Sequence, residues 1–168
     1  MLGRIDLKPG RYELRLSTKF DKLGSVYADI DVPDFAKEPL SMSGVLMSVT
    51  PGVAVAPAEL LTPIVPVLPT TERAFARTDR VAAFLRVYQG GGAKIAPTTI
   101  AIRIVDDHDK TVIDQTDTLG VDRFATARAA DQRFALPLTE LAPGEYLLTF
   151  EVTMGKATAR RDVRFSIR

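Results

Sequence analysis

His108 is the only histidine in the chain, and it stands in an acidic run, Asp106-Asp107-His108-Asp109. Imidazole and carboxylates together suit acid–base work or a metal ion, so this run is the first place to look for chemistry. A catalytic reading needs a nucleophile or a second base nearby, and a zinc site needs further histidines or cysteines. The chain has no cysteine and no other histidine, so the zinc set does not exist here. Calcium takes carboxylate oxygens, which Asp106, Asp107 and Asp109 offer. Their spacing lacks the alternate ligands, the glycine and the distal glutamate of a helix-loop-helix calcium loop. The expected role is a solvated β-turn, where aspartate hydrogen-bonds its own backbone.

Gly90-Gly91-Gly92 is the next candidate. A phosphate cradle needs a helix N-terminus behind the glycines, and Lys94-Ile95-Ala96-Pro97 opens none. A flexible inter-strand loop is expected. Arg160, Arg161, Arg164 and Arg168 form a basic strip near the C-terminus, read as a solvated face that also deters edge pairing. As an alternative, the strip docks on the Asp29, Asp31, Asp34 side of the N-terminal region. Met42 and Met47 are expected to fill core. Tyr27 and Tyr88 are the only aromatic platform on offer to a sugar ring, in a chain without tryptophan. No catalytic, cofactor-binding or metal-binding residue is assigned, and no enzyme is expected.

These side chains are carried by strands. Tyr146, Leu148, Phe150 and Val152 alternate with Leu147, Thr149, Glu151 and Thr153, and after Gly155-Lys156 Val163, Phe165 and Ile167 alternate with Asp162, Arg164 and Ser166. A period of two puts each apolar set on one face, which needs a second layer over it. The stretch from Leu141 to Ile167 is therefore a hairpin. A second copy begins at Leu7-Lys8-Pro9-Gly10-Arg11-Tyr12, matching Leu141-Ala142-Pro143-Gly144-Glu145-Tyr146, and runs to Val32. In immunoglobulin-type sandwiches a tyrosine at such a corner returns its hydroxyl to nearby backbone.

Between the copies we expect strands over residues 40–49, 81–89, 98–105, 111–115 and 132–138, with a bulged or edge strand over 123–130. The residues from Pro51 to Pro69 carry five prolines among many apolar side chains, which excludes a regular helix or central strand. An extended loop packed on the sandwich, or covered by a partner, is expected there. About seven short strands with turns every ~8–12 residues give an all-β fold, an immunoglobulin- or fibronectin type III-like β-sandwich preceded by an extra β-hairpin. The hairpin, residues 1–35, reads as the end of a preceding sandwich-like domain, and residues 36–168 as the sandwich. Exchange of the hairpin between two chains, giving a homodimer, also buries its apolar face.

The 168 residues suit about one domain, and 46% apolar residues allow a sizeable core. Twenty-two basic residues against 21 acidic ones leave a charge of +1, which does not favour nucleic acid as a partner. No apolar run of about 18 residues exists to span a membrane, and MLGRIDLKPG lacks the apolar core of a secretion signal.

Particular words carry a family likeness: Gly24-Ser25-Val26-Tyr27-Ala28-Asp29-Ile30-Asp31-Val32-Pro33-Asp34-Phe35, Leu40-Ser41-Met42-Ser43-Gly44, Phe84-Leu85-Arg86-Val87-Tyr88, Pro143-Gly144-Glu145-Tyr146-Leu147-Leu148 and Ala159-Arg160-Arg161-Asp162-Val163-Arg164-Phe165. Together they resemble the C-terminal region of bacterial von Willebrand factor type A-related proteins, a family common in Acidobacteria. The resemblance covers nearly the whole chain in the same order. It implies a non-catalytic, immunoglobulin-like accessory part of a larger exported adhesion or scaffold protein, acting as spacer and protein contact beside an upstream type A domain. Such a domain holds a metal through an Asp-x-Ser-x-Ser motif, which is absent here, so no ligand is carried over and no cofactor is implied. An extracytoplasmic location follows from the resemblance alone. The alternative from a different class is a carbohydrate-binding module.

Overall fold

A computed structural model describes residues 5–19, 23–50 and 65–168. Strands β1 (Gly10–Lys19) and β2 (Leu23–Val32) form an antiparallel two-stranded sheet. Nine further strands follow: β3 (Ser41–Met42), β4 (Leu46–Thr50), β5 (Ala74–Phe75), β6 (Arg80–Tyr88), β7 (Thr98–Asp106), β8 (Thr111–Leu119), β9 (Ala129–Ala135), β10 (Gly144–Met154) and β11 (Ala157–Ile167). They make two sheets. One has the order β5-β11-β10-β7-β8, and in the other β6 is central. β3 and β4 pair with successive stretches of β6, through Met42↔Val87 and Met47↔Ala83, and β9 pairs along its opposite side. With β6 and β9 as strands B and E, and β8-β7-β10-β11 as C′-C-F-G, this is an immunoglobulin-like sandwich. No helix among the described residues is long and apolar enough to cross a membrane.

Alternation decides which side chains meet. On β7, Ile100, Ile102 and Ile104 are fully buried while Arg103 faces solvent. Opposite them in register stand Val152, Phe150 and Leu148 of β10, also fully buried. The other sheet closes over this layer with Met42, Met47, Ala83, Leu85 and Val87. Phe134 of β9 meets Phe150 edge-on, with ring centroids 6.3 Å apart, so aromatic contact crosses between the layers. Both methionines are fully buried core side chains.

Several expected boundaries are corrected. The strand expected over 40–49 is two strands, because Ser43 turns out of the ladder: its N–H donates to the Arg86 carbonyl while its Oγ accepts the Arg86 N–H, 2.9 Å each. No strand runs over 123–128. Val121–Phe124 is a 3-10 turn that drives Phe124 into the core, and β9 starts only at Ala129. The strand expected to continue to Leu138 stops at Ala135, and Leu138–Glu140 is a second 3-10 turn. Leu136 and Leu138 are buried, Leu136 with its N–H still donating to the Val81 carbonyl of β6 at 2.9 Å and Leu138 in the 3-10 turn. β8 runs on to Leu119, past the expected end at Gln115. Of the proline-rich segment, residues 51–64 lie outside the described residues. Its end rejoins the sandwich where the Thr70 N–H donates to the Met47 carbonyl at 2.7 Å.

Candidate functional site: the cleft between hairpin and sandwich

The eight residues after β2 set the geometry of this cleft. Asp34 starts a turn: its carbonyl accepts from the N–H of Lys37 and of Glu38, at 3.0 and 2.8 Å, and its side chain caps Lys37. The turn is then fastened to the end of β6. The Gly90 N–H donates to the Glu38 carbonyl (2.9 Å), the Gly91 N–H to the Ala36 carbonyl (2.8 Å), and Phe35 packs on Tyr88 with centroids 4.5 Å apart. Only glycine suits position 90, because a Cβ there would stand 2.5 to 2.8 Å from the carbonyl oxygens of Glu38, Phe35 and Ala36.

The triplet lies in the expected loop between β6 and β7, and Gly90 and Gly91 of it are also a docking point for the turn over residues 34–38. Two side chains clamp it from the other side. The Gln89 amide donates to the Ala96 carbonyl (2.7 Å) and Thr98 Oγ1 (2.9 Å) and accepts the Ala96 N–H. The Arg128 guanidinium donates to the carbonyls of Gln89 and Ala93, at 2.7 and 2.6 Å. Arg128 itself has φ +52, a backbone strain held in place by these bonds.

Between hairpin and sandwich lies a cleft of about 870 Å³. Asp29, Asp31 and Glu38 line it from one side and Arg160 and Arg161 from β11, with Ser41 at its floor. Ser41 is 2% exposed, and its Oγ has no hydrogen-bond partner among the described residues. His108 is not in the lining, so no imidazole stands there to activate that hydroxyl. Opposed carboxylates and guanidiniums suit a polypeptide of mixed charge; nothing among the lining residues forms a nucleophile–base pair.

The arginine strip divides. Arg160 faces outward and pairs with Asp162 at 3.0 Å. Arg161 shares the inner face with Val163 and Phe165 and reaches across the sandwich, its guanidinium donating to the Met42 carbonyl at 3.0 Å. Arg168 donates to the Ala74 carbonyl of β5. The alternative, docking of this strip on the hairpin's acidic side, has no ion pair among the described residues: Asp31 pairs with Arg11 (3.5 Å) and Asp34 with Lys37 (3.4 Å).

Asp106, Asp107 and His108 bring their ligand atoms within 4.8 Å of one another at the β7–β8 turn. Asp106 Oδ1 is already engaged, accepting the N–H of His108 and of Lys110 at 2.9 Å each. The Lys110 N–H, and after it that of His108, holds the Asp106 carboxyl below the usual carboxylate range. His108 Nδ1 lies 2.6 Å from Asp107. This is the expected Asx turn, with Asp109 at φ +60. Tyr27 lies under the Arg15 guanidinium, 5.5 Å from its ring centroid, while Tyr88 is packed by Phe35, so each ring of the platform that the alternative carbohydrate-binding reading needs has a protein partner.

Sequence reasoning missed Ser41, Gln89, Gly90 as a docking point, and Arg128. Only Arg161 left a signal, since counting by twos back from Phe165 places it inside.

No protein family model matches the chain, and no curated protein does. Among solved structures, the C-terminal domain of wzt is similar over 96% of this chain and 82% of its own length, at 10% identity and a TM-score of 0.49. The CARDB domain of a Pyrococcus furiosus protein, solved in complex with di-metal ions, matches over 83% of this chain and all of its own, at 11% identity and a TM-score of 0.45. A Bacteroides uniformis beta-glucuronidase matches over 86% of this chain but 13% of its own, at 12% identity and a TM-score of 0.38.

Proposed function

We propose that the chain is a non-catalytic β-sandwich module acting as structural spacer and protein contact within a larger exported adhesion- or scaffold-type protein of the bacterial von Willebrand factor type A-related kind. One observation carries the spacer role. The turn over residues 34–38 is fastened to Gly90 and Gly91 by two backbone hydrogen bonds and to Tyr88 by Phe35, so the hairpin leaves the sandwich at a set angle. A linker built for free movement is solvated and glycine- or serine-rich; this one is docked. The contact role is supported by the mixed-charge cleft beside the junction, whose partner on this reading is a protein segment or an upstream type A domain.

Residual dipolar couplings measured on the hairpin and on the sandwich test it. A common alignment tensor is expected for the natural sequence, and separate tensors for Gly90→Ala. Separate tensors in the natural sequence would overturn the spacer reading.

A further inference from the structure

The two hairpins agree well beyond their sequence words. Tyr12 donates its hydroxyl to the Lys8 carbonyl at 2.9 Å, and Tyr146 donates to the Ala142 carbonyl at 2.8 Å, each four residues back. The glycine two residues before each tyrosine takes an unusual backbone angle, φ +148 at Gly10 and +157 at Gly144. Cross-strand pairs correspond from that point: Tyr12↔Ile30 with Tyr146↔Phe165, and Leu14↔Ala28 with Leu148↔Val163. The register places Arg11, Glu13 and Arg15 of the first copy where Glu145, Leu147 and Thr149 stand in the second, on the face opposite the tyrosine.

Burial is where they part. Leu148 and Phe150 are fully buried, whereas Leu16 is 56% and Val26 63% exposed. In the second copy the cover is known: β7 pairs along β10, and the sheet around β6 closes over its inner face. Among the described residues β1 and β2 pair only with each other, and no layer lies on Leu14, Leu16, Val26 and Ala28.

We infer that β1–β2 is the closing F–G strand pair of a second immunoglobulin-like sandwich, whose other strands stand in the natural polypeptide N-terminal to Ile5 and cover this face. The corner gives the direction. A tyrosine corner clamps the segment by which the chain crosses from the opposite sheet into strand F. In the second copy that segment is Leu138–Leu141, arriving directly from β9, with Leu141 buried. In the first copy the same clamp holds Lys8, and Leu7, the counterpart of Leu141, is 37% exposed. The covering layer therefore enters through the residues just before Leu7. A second copy of this chain is a poorer occupant, since its sandwich already holds its own F–G pair in β10 and β11. The inference stands on the hairpin alone, and separate alignment tensors for hairpin and sandwich would leave it untouched.

Hydrogen exchange on this 168-residue chain, and on the natural chain with its preceding residues, is the test. In the shorter chain, β1–β2 amides are expected to exchange on the order of 100-fold faster than those of β10–β11, and to gain protection of that order in the longer chain. Leu16→Glu, and the milder Leu16→Ser, should abolish the gain while the unfolding of residues 36–168 stays put. Three results overturn it: strong β1–β2 protection in the shorter chain as a monomer, a dimer of the shorter chain dissolved by Leu16→Glu, or a natural chain whose preceding residues are lacking or confer no protection.

Discussion

Gly90 and Phe35, fifty-five positions apart in the sequence, approach so closely that a methyl group on Gly90 would stand 2.6 Å from the Phe35 carbonyl oxygen. Gly90→Ala is expected to cost about 1–3 kcal/mol, the usual range for overpacking, and to release the turn over residues 34–38. Gly44→Ala is the control, because nothing lies within 4 Å of its Cβ position. Thermal unfolding of the two variants checks this, and equal melting temperatures would refute it.

Arg161 and Arg164 are three residues apart and should behave differently. Arg161→Ala removes the bond to the Met42 carbonyl from a half-buried position and should cost roughly 1–2 kcal/mol. Arg164→Ala, on the exposed face, should stay within about 0.5 kcal/mol. Denaturant titration distinguishes them; a reversed order would mean that the strip acts from its outer side.

The tyrosine corners give a matched pair. Tyr146→Phe loses the hydroxyl bond to Ala142 and should lower sandwich stability by about 1 kcal/mol. Tyr12→Phe in the same chain should leave sandwich unfolding unchanged, because Tyr12 contributes nothing to the core around Phe150.

Phe150 is fully buried against Phe134. Phe150→Ala should cost about 3–5 kcal/mol, a large share of the stability of a domain of this size. A loss under ~1 kcal/mol, read from urea unfolding, would mean that the two layers do not meet as described.

Acid should act on the β7–β8 turn through Asp106. Its folded pKa is depressed, so its contribution is present above the unfolded value of about 3.9 and fades as pH falls through the lower folded value. Carboxyl NMR should give Asp106 a midpoint below ~3.9, and a midpoint at or above it would contradict the turn geometry.

The strands were legible wherever alternation was strict. Ile100, Ile102 and Ile104 needed only a period of two, and the C-terminal hairpin needed only that and its Gly155 turn. The stretch from Val121 to Ala130 was misread because Ala125, Thr126, Ala127, Ala129 and Ala130 carry too little apolar contrast to show a period. Its true organiser is one buried ring, Phe124, held by a 3-10 turn. The cleft was the least legible part. Its walls come from residues near 30, 40 and 160, and its junction depends on backbone carbonyls meeting Gly90, which no side-chain pattern encodes. Arg161 was the exception, hidden by being counted with its charged neighbours when its parity with Val163 and Phe165 already placed it inside.

The sandwich core joins β6 to β10 through Ala83, Leu85, Leu148 and Phe150, where antibody domains of this architecture set a disulfide between the layers. Nothing covalent binds the layers in this chain, which has no cysteine. Its integrity is therefore indifferent to electron donors, and thiol reductants should leave its melting curve where it was.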